Sequence, residues 1–446
     1  MEQKMNPMAQ KPILPLLVSM SIPVVLSMFI QALYNIVDSI WVTRLGTDAL
    51  TAVSLAFPLQ NIVMSAGVGV GVGIGSVISM SLGAGDRETA DKTASLGIAA
   101  VVVHCIIFAV LGLVVTKPFL AMFTDDPVTF KWACDYTYIV LCISFGELLQ
   151  MCLEKIFQGL GKMKTTMFLM AAGCIINIVL DPIFIFGWLG FPAMGVKGAA
   201  IATVTGQIIA FVMYVVICLR KDIGVTIHPR FMKPDRAILK RIYSIGIPSS
   251  LMLAMPSIMV GVLNGILAQI DKVYVAVFGL YFKLQTFINM PANGVVQGMR
   301  PIISFNYGAG DMKRVRQTVL YSMQIVAGIM VIGTIGAVGF PGLILKAFDA
   351  DAQLMEYGIL AFRIIGLSFI FSTVGIVSAG VFEAVGKGRD SLIISLFRQF
   401  LIILPAGWVL SKLMGAAGIW ITFPLAEIFA AVISVVMLRR DIISPQ

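Results

Sequence analysis

The chain has 446 residues, of which 59% are hydrophobic and only 12% are charged, and its mean hydropathy is +0.95. This composition excludes a soluble globular protein and predicts an integral membrane protein. The net charge of +9 comes from basic residues that flank apolar segments. We therefore interpret the charge as membrane topology and predict no nucleic-acid partner.

Apolar stretches long enough to cross a bilayer as helices recur along the whole chain. We predict an all-α membrane protein with twelve transmembrane helices, six in each half. In chain order they cover about 13–41, 50–82, 93–116, 133–158, 163–189, 195–219, 242–270, 276–306, 318–347, 357–383, 390–411 and 415–438. The hydrophilic linker 220–241 then separates an N-terminal lobe, 1–219, from a C-terminal lobe, 242–446.

Lysine and arginine are concentrated on one side of the predicted membrane. The N-terminus (Lys4, Lys11), the linker and the C-terminus (Arg439, Arg440) share that side with most of the short basic loops. Because cytoplasmic loops carry the excess of basic residues, we predict that both termini are cytoplasmic in a multi-pass protein of the plasma membrane.

The second half of the chain repeats the first at a constant offset of 225 residues. The clearest repeated pairs are Ile22-Pro23 with Ile247-Pro248, Gly83-Ala84-Gly85-Asp86 with Gly308-Ala309-Gly310-Asp311, and Gly161-Lys162 with Gly386-Lys387. Two similar halves with an even number of helices predict two lobes related by a pseudo-two-fold axis along the membrane normal, as in many transporters.

Several other sequence features indicate structural roles and not catalysis or metal binding. The glycines at every second position from Gly67 to Gly75 lie inside an apolar span, so we predict a helix with small faces for close packing. Six cysteines lack metal-ligand spacing, and we interpret them as core residues. They are Cys105, Cys134, Cys142, Cys152, Cys174 and Cys218. The two histidines are far apart in sequence, so we predict no zinc motif, no cofactor and no enzyme.

Two acids fall inside apolar spans, where ionisable residues are costly and usually functional. Asp38 lies near the end of helix 1, with Tyr34 one turn earlier on the same face. Asp181 lies in helix 5, with Asn177 one turn earlier, and a proline follows it. The repeat copies neither acid, because offset positions 263 and 406 hold Leu and Ala. The alternative for Asp38 is a structural role, capping an interface or pairing with Arg44.

With these motifs the chain resembles the multidrug and toxic compound extrusion (MATE) family over essentially its full length. The motifs are Tyr34-x-x-x-Asp38, Asn177-x-x-x-Asp181-Pro182 and Gln158-Gly159-Leu160-Gly161-Lys162, and Pro23 matches the proline at which helix 1 bends in the family.

The resemblance implies a cation-coupling site in the N-terminal lobe. Its residues would be Tyr34, Asp38, Asn177, Asp181 and a helix 6 threonine. The oxygens of Asp38, Asn177, Asp181 and the threonine would also suit Na⁺. We assign the threonine as Thr203, with Thr205 as the alternative. One branch of the family binds sodium through C-terminal acids; helices 7 and 8 offer Asn264 and Lys283 instead, so this chain is more similar to the branch with N-terminal acids.

Other polar residues inside the spans are candidates for a substrate cavity or for internal ion pairs. The cavity candidates are Gln31, Glu154, Asn264, Lys283, Asn289 and Asn293. For the second lobe we predict an ion pair such as Arg398 with Glu427, because intramembrane charges normally pair. Lys283 is expected either to be paired or to face a watery cavity.

Together these observations predict a secondary active antiporter, monomeric and without a cofactor. It would export amphipathic or cationic organic compounds in exchange for H⁺ or Na⁺, with Pro23 as a hinge. The alternative is a flippase for a lipid-linked saccharide precursor, which a cationic cavity around Lys283 and Arg300 would suit. An intramembrane enzyme ranks far below both, because no nucleophile–base pair or metal motif is present.

Overall fold

The structure, a computed structural model, describes residues 6–443, so Lys4 of the N-terminal basic group lies outside the described residues. Within that range the chain is helical and contains no β-strand. The helices are α1 Pro7–Gln10, α2 Ile13–Thr43, α3 Thr47–Gly83, α4 Arg87–Leu120, α5 Pro127–Cys142, α6 Phe145–Gly159, α7 Met163–Phe186, α8 Val196–Arg220, α9 Arg236–Ala268, α10 Lys272–Gly308, α11 Met312–Thr334, α12 Pro341–Ala347, α13 Ala352–Gly366, α14 Ser368–Ala384, α15 Gly388–Leu396, α16 Ile403–Met414 and α17 Ala416–Leu438.

The described helices account for all twelve predicted spans. Ten helices are long and apolar enough to cross a membrane, three of them continued through the π-turns Ile335–Gly339, Phe397–Leu401 and Arg439–Ile443. An eleventh span is the pair α13–α14, bent by 46°. The remaining predicted span, about 133–158, is the pair α5–α6, which breaks at Ile143 and Ser144. The expectation of an all-α membrane protein is confirmed.

The repeated Gly-Ala-Gly-Asp motifs are helix–turn–helix junctions. Gly85 and Gly310 have φ of +78° and +74°, a conformation that glycine adopts at little cost. The aspartates that follow cap the next helices: Asp86 Oδ1 accepts from the backbone N–H of Thr89, and Asp311 repeats this at the start of α11. The motif repeats because both halves need the same turn and cap.

The repeated Gly-Lys motifs hold the chain segment that follows the sixth helix of each half. Lys162 Nζ lies 3.4 Å from the carbonyl oxygen of Asp222, just after α8. Its equivalent, Lys387, forms an ion pair of 2.9 Å with Asp441, just after α17. Each lysine therefore contacts the segment that follows the last helix of its half of the chain.

The chain packs as two compact units, residues 26–250 (the first unit) and residues 1–25 with 251–446 (the second unit). The division falls inside α2 and α9, two residues after the repeated prolines Pro23 and Pro248. The first turns of α2 thus belong to the second unit, and the first turns of α9 belong to the first unit. The units differ in this respect from the lobes 1–219 and 242–446, which describe the repeat in the sequence.

The glycine run of α3 is helical and presents a small face to α6. A Cβ added at Gly67 would lie 2.8 Å from Leu148 Cδ2, and one at Gly71 would lie 2.6 Å from Lys155 Cγ. At Gly75 the same carbon would lie 2.7 Å from the Lys155 carbonyl oxygen. Spacing by four residues keeps these glycines on one side of the helix, and any larger side chain there would push α6 away.

The intervening glycines present a second small face to the first turns of α9. A Cβ added at Gly69 would lie 2.7 Å from the backbone oxygen of Gly246, and one added at Gly73 would lie 3.2 Å from its backbone nitrogen. In the second unit, Gly298 repeats Gly73, and its added carbon would lie 2.8 Å from Ser21 Cα in α2. Close backbone contacts therefore hold the first turns of α9 in the first unit and those of α2 in the second unit.

Candidate functional site

Three helices of the first unit carry the predicted cation-coupling residues. Asp38 and Tyr34 lie one turn apart on α2, Asn177 and Asp181 one turn apart on α7, and Thr203 on α8. Each one-turn spacing places both side chains on the same helix face.

The structure brings these side chains together. The carboxyl groups of Asp38 and Asp181 are direct neighbours, close enough for a hydrogen bond once either carries a proton. The Tyr34 hydroxyl lies beside Thr203 and within electrostatic reach of both acids. Two carboxylates so close in a poorly solvated place repel each other unless a cation neutralises one of them.

The oxygens of this cluster are buried without hydrogen-bond partners among the described residues. Asp181 is fully buried, and neither of its carboxylate oxygens has a partner. The same holds for both amide atoms of Asn177, for Thr203 Oγ1 and for Asp38 Oδ1. Buried polar atoms are normally satisfied, so a cluster of orphaned oxygens indicates a place built for a ligand.

Pairing with Arg44, one form of the structural alternative for Asp38, does not occur among the described residues. The Arg44 guanidinium lies over the Trp41 ring, 4.6 Å from its centre, and forms no ion pair with Asp38 in residues 6–443. For the threonine, Thr203 lines the cavity described next, and Thr205 does not.

A half-open cavity of about 110 Å³ is lined by residues of the first unit, next to this cluster. Its polar lining consists of Gln31, Tyr34, Glu147, Gln150, Glu154, Asn177, Thr203 and Gln207. Met64, Met151 and Met170 supply part of the apolar lining. Two of the predicted substrate-cavity residues, Gln31 and Glu154, therefore face the same space as the cation-coupling residues.

Glu154 is tied into a buried triad on α6. Its Oε1 accepts from Gln158 Nε2 at 2.7 Å and lies 3.5 Å from Lys155 Nζ, which also donates to Gln158 Oε1 at 2.9 Å. Lys155 therefore compensates part of the Glu154 charge. Glu147 lies about two turns before Glu154 on the same face of α6 and has no hydrogen-bond or ion-pair partner among the described residues.

Sequence reasoning missed Tyr136 as a neighbour of the site. This residue of α5 is buried, with Gln60 beside its hydroxyl and Asp38, Asp181 and Glu147 within electrostatic reach. Because α5 is distant in sequence from α2 and α7, no local motif connects it with the acids. Gln207 was also missed, although it lies one turn after Thr203 on the same face of α8.

The other predicted cavity residues lie in the second unit. Asn264 is half-buried, with an unpartnered side-chain oxygen, while Lys283 and Asn293 are exposed and Asn289 is half-buried. Lys283 has no ion-pair partner among the described residues. Their role in binding substrate stays a prediction.

The predicted ion pair of the second half is confirmed. The Arg398 guanidinium binds both carboxylate oxygens of Glu427, through Nε at 2.9 Å and Nη2 at 2.8 Å. A second buried pair joins Arg300 to Glu383. Of the two residues that could have lined a cationic cavity, Arg300 is thus compensated by an internal ion pair, whereas Lys283 has none among the described residues.

The second half lacks an equivalent of the acid pair, but one of the assigned positions needs correction. The π-turn Phe397–Leu401 adds a residue, so the equivalent of Asp181 is Gly407 and not Ala406. A Cβ added at Gly407 would lie 3.5 Å from Leu263 Cδ2, and Leu263 is the equivalent of Asp38. The same helix contact is therefore acidic in the first half and apolar in the second.

The donor set of the first unit suits a proton or a hard monovalent cation. No group of three or more His, Cys, Asp or Glu side chains with metal-binding geometry occurs in residues 6–443. Two carboxylates, an amide oxygen and a hydroxyl are hard oxygen donors, of the kind that alkali cations prefer.

Comparison with known proteins gives a consistent result. The MatE family model matches residues 23–183 and again 248–409, and the second match is one residue longer, as the π-turn requires. The multidrug export protein MepA of Staphylococcus haemolyticus is 26% identical over 412 residues, covering 92% of this chain and 90% of the relative. MepA of Staphylococcus aureus (strain MSSA476) is 26% identical over 443 residues, covering 97% and 95%.

A solved structure supports the same assignment. A MOP superfamily transporter from Pyrococcus furiosus superposes with a TM-score of 0.91 and 26% identity, covering 98% of each chain. The two MatE matches span most of the chain, and their repetition coincides with the internal repeat. The chain therefore belongs to the MatE (MATE) family of membrane transporters.

Proposed function

We propose that this protein is a multidrug efflux antiporter that exports amphipathic or cationic organic compounds in exchange for H⁺ or Na⁺. As a member of its family it is a transporter and not an enzyme. Relatives named as multidrug export proteins cover nearly its whole length, which supports export of varied small molecules. The same relatives give no support to a lipid-linked saccharide flippase.

The observation that carries the proposal is the facing pair Asp38 and Asp181, with the orphaned oxygens around it. A proton shared between the carboxyl groups, or a Na⁺ ion held by them with Asn177 and Thr203, removes their repulsion and satisfies the buried oxygens. Tyr34 orients this cluster from one turn below Asp38. The apolar pair Leu263 and Gly407 makes the second half unable to bind a coupling cation at the equivalent place.

Loading and unloading of the cation must then change the shape of the protein. We assign the hinge to Pro23, which removes one helical hydrogen bond of α2 just before the helix leaves the second unit. Each positive charge that moves inward down a membrane potential supplies about 2.3 kcal/mol per 100 mV. This energy drives the exported compound against its gradient.

The topology completes the proposal. Basic residues at both ends and in the linker favour cytoplasmic termini and a location in the plasma membrane. We propose a monomer without cofactor, whose partners are the lipid bilayer and the small molecules it exports.

The proposal is tested by drug efflux in inverted membrane vesicles, with the proton and the sodium gradient imposed separately. At least one gradient is expected to accelerate movement of a fluorescent cationic drug across the vesicle membrane, and dissipating that gradient with an ionophore should stop it. Movement that responds to neither gradient overturns the proposal.

A further inference from the structure

The first turns of α2 are packed more tightly than the rest of the helix. Five apolar side chains there are at most 6% exposed: Ile13, Leu16, Leu17, Met20 and Val24. Farther along, every residue from 28 to 41 keeps part of its surface accessible. The change falls where α2 passes from the second unit to the first, between residues 25 and 26. The start of the helix is therefore held more firmly than the part that carries Asp38.

Two glycines of α10 receive these first turns. A Cβ added at Gly298 would lie 2.8 Å from Ser21 Cα, and one added at Gly294 would lie 3.2 Å from Val25 Cα. The backbone of α2 thus lies directly on α10 as far as Val25, the last residue of α2 in the second unit.

A group of hydrogen bonds, which we call the N-terminal clamp, fixes the chain just before α2. It joins Arg314 of α11 and Asn306 of α10 to the carbonyl oxygens of Met8 and Lys11. Arg314 Nη2 donates to these two oxygens at 2.9 and 2.8 Å, and its Nε donates to Asn306 Oδ1 at 3.1 Å. Asn306 Nδ2 also donates to the Met8 oxygen, at 3.2 Å, and Met8 is only 1% exposed. Because one rigid guanidinium engages three acceptors, any shift of this segment breaks several hydrogen bonds at once.

The equivalent positions in the first half hold different side chains. The repeat offset of 225 relates Asn306 and Arg314 to Ser81 and Thr89. A single hydroxyl group cannot bridge two carbonyl oxygens as a guanidinium does. The helix equivalent to α2 is α9, which has Leu263 where α2 has Asp38. The clamp therefore belongs to the helix that carries a coupling acid, and its residues are not repeated for the helix that lacks one.

We propose that the N-terminal clamp is the fixed point against which α2 bends during export, with Arg314 and Asn306 as positioning residues. The proposal deepens the proposed function and rests on it, through the hinge assigned to Pro23. A helix bends at a proline only while both of its parts are held in place. Without the clamp, α2 would respond to cation binding at Asp38 by moving as a rigid rod, and the bend would be lost. Arg314 and Asn306 act through α2 and not on the cation itself.

The first test measures whether the clamp holds the start of α2. Hydrogen–deuterium exchange of the detergent-solubilised full-length protein is followed by mass spectrometry in peptides from residues 6–25. Arg314→Gln should raise the exchange rate there about tenfold or more, the effect of losing a hydrogen bond to a charged group. Exchange that Arg314→Gln leaves unchanged would overturn the clamp.

Arg316→Gln is the matched control for both tests. Arg316 lies on the same helix, two residues after Arg314, and its Nε also donates to a backbone carbonyl oxygen, that of Ile442, at 3.0 Å. Because Ile442 lies after α17 and not before α2, this variant should leave exchange in residues 6–25 and drug export at their wild-type values.

The second test measures whether the clamp acts through the hinge. Gradient-driven drug export in vesicles should fall in Arg314→Gln to the rate of Pro23→Ala, with the dissociation constant of the drug unchanged. In the Pro23→Ala background, Arg314→Gln should slow export no further, because a stiffened helix has no bend for the clamp to support. A clamp that only stabilises the fold would slow export by the same factor in both backgrounds, and that result would overturn the proposal.

Two other variants decide the matter if Arg314→Gln does not fold. Arg314→Lys keeps the charge, but an ammonium group does not reproduce the fork of a guanidinium, so export should stay slow. Asn306→Ala removes the acceptor of Arg314 Nε and one donor to the Met8 oxygen, and it should slow export less than Arg314→Lys. Export at the wild-type rate in both variants would overturn the clamp.

The outcomes separate the clamp from the proposed function. A wild-type protein that exports a cationic drug along an ion gradient, at a rate that loss of the clamp leaves unchanged, overturns the clamp only. A wild-type protein that exports no cationic drug under either gradient overturns the proposed function and, with it, the role of the clamp in export.

Discussion

Glu427→Gln should destabilise the protein through the arginine that it leaves behind. The Arg398 and Glu427 side chains are only 14% and 11% exposed, and three donor–acceptor contacts join them. Glutamine keeps one acceptor oxygen but turns an amide donor towards the guanidinium and removes the compensating charge. Breaking a buried pair from one side typically costs about 3–5 kcal/mol. Because neither side chain is fully buried here, we expect about 3 kcal/mol.

The assay is the free energy of unfolding of the detergent-solubilised protein, compared across a small set of variants. Asp135→Asn is the matched control, since its partner Lys197 is 52% exposed and such pairs contribute only about 0–1 kcal/mol. Replacing both members of the buried pair, as Arg398→Met with Glu427→Leu, should recover stability to within about 1 kcal/mol of wild type. The reasoning is refuted if Glu427→Gln is as mild as Asp135→Asn.

Four further variants test the fold and the proposed motion. Gly73→Ala should lower the free energy of unfolding by about 1–3 kcal/mol, because the added methyl meets the α9 backbone. Gly261→Ala, with nothing within 4 Å, should leave it unchanged or raise it by about 0.5–1 kcal/mol in the same assay. Equal effects of the two variants would contradict the packing. Pro23→Ala should slow drug export in vesicles with drug affinity unchanged, and export at the wild-type rate would exclude a hinge there. The hydroxyl and backbone N–H of Thr89 hydrogen-bond Asp86 and lower the pKa of its carboxyl, so its capping contribution of about 1 kcal/mol is present above about pH 4 and disappears as the pH falls through the lowered value. Melting curves of Asp86→Ala should therefore converge with wild type at low pH, and a constant gap down to pH 3 would count against the cap.

Much of the fold could be predicted because the repeat and the helical periodicity can both be read directly from the sequence. The apolar spans, the two faces of the glycine run and the buried pair of Arg398 with Glu427 follow from spacing and from the cost of a lone charge in a membrane. The π-turn Phe397–Leu401 could not be predicted, because it inserts a residue without any glycine or proline to mark it. That is why Ala406 was assigned in place of Gly407.

The site was predictable only where its residues share a helix. Asp38 with Tyr34, and Asp181 with Asn177, are one turn apart, and periodicity places each pair on a common face. Tyr136 comes from a helix that is distant in sequence, so only the packed structure places it beside the acids. The first turns of α2 belong to the second unit and those of α9 to the first unit. This arrangement depends on close backbone contacts, such as those of Gly73, that no sequence pattern indicates.

The central claim is that Asp38 and Asp181 couple cation entry to drug export, and the most direct measurement combines binding and efflux in Asp38→Asn and Asp181→Asn. Asparagine keeps the shape and hydrogen bonding of the side chain but cannot take up a proton or supply a full charge to Na⁺. Both variants should be made in normal amounts and bind a fluorescent cationic drug, yet lose gradient-driven efflux, while Asp135→Asn behaves as wild type in both assays. Gradient-driven efflux at the normal rate in either acid variant would contradict the account.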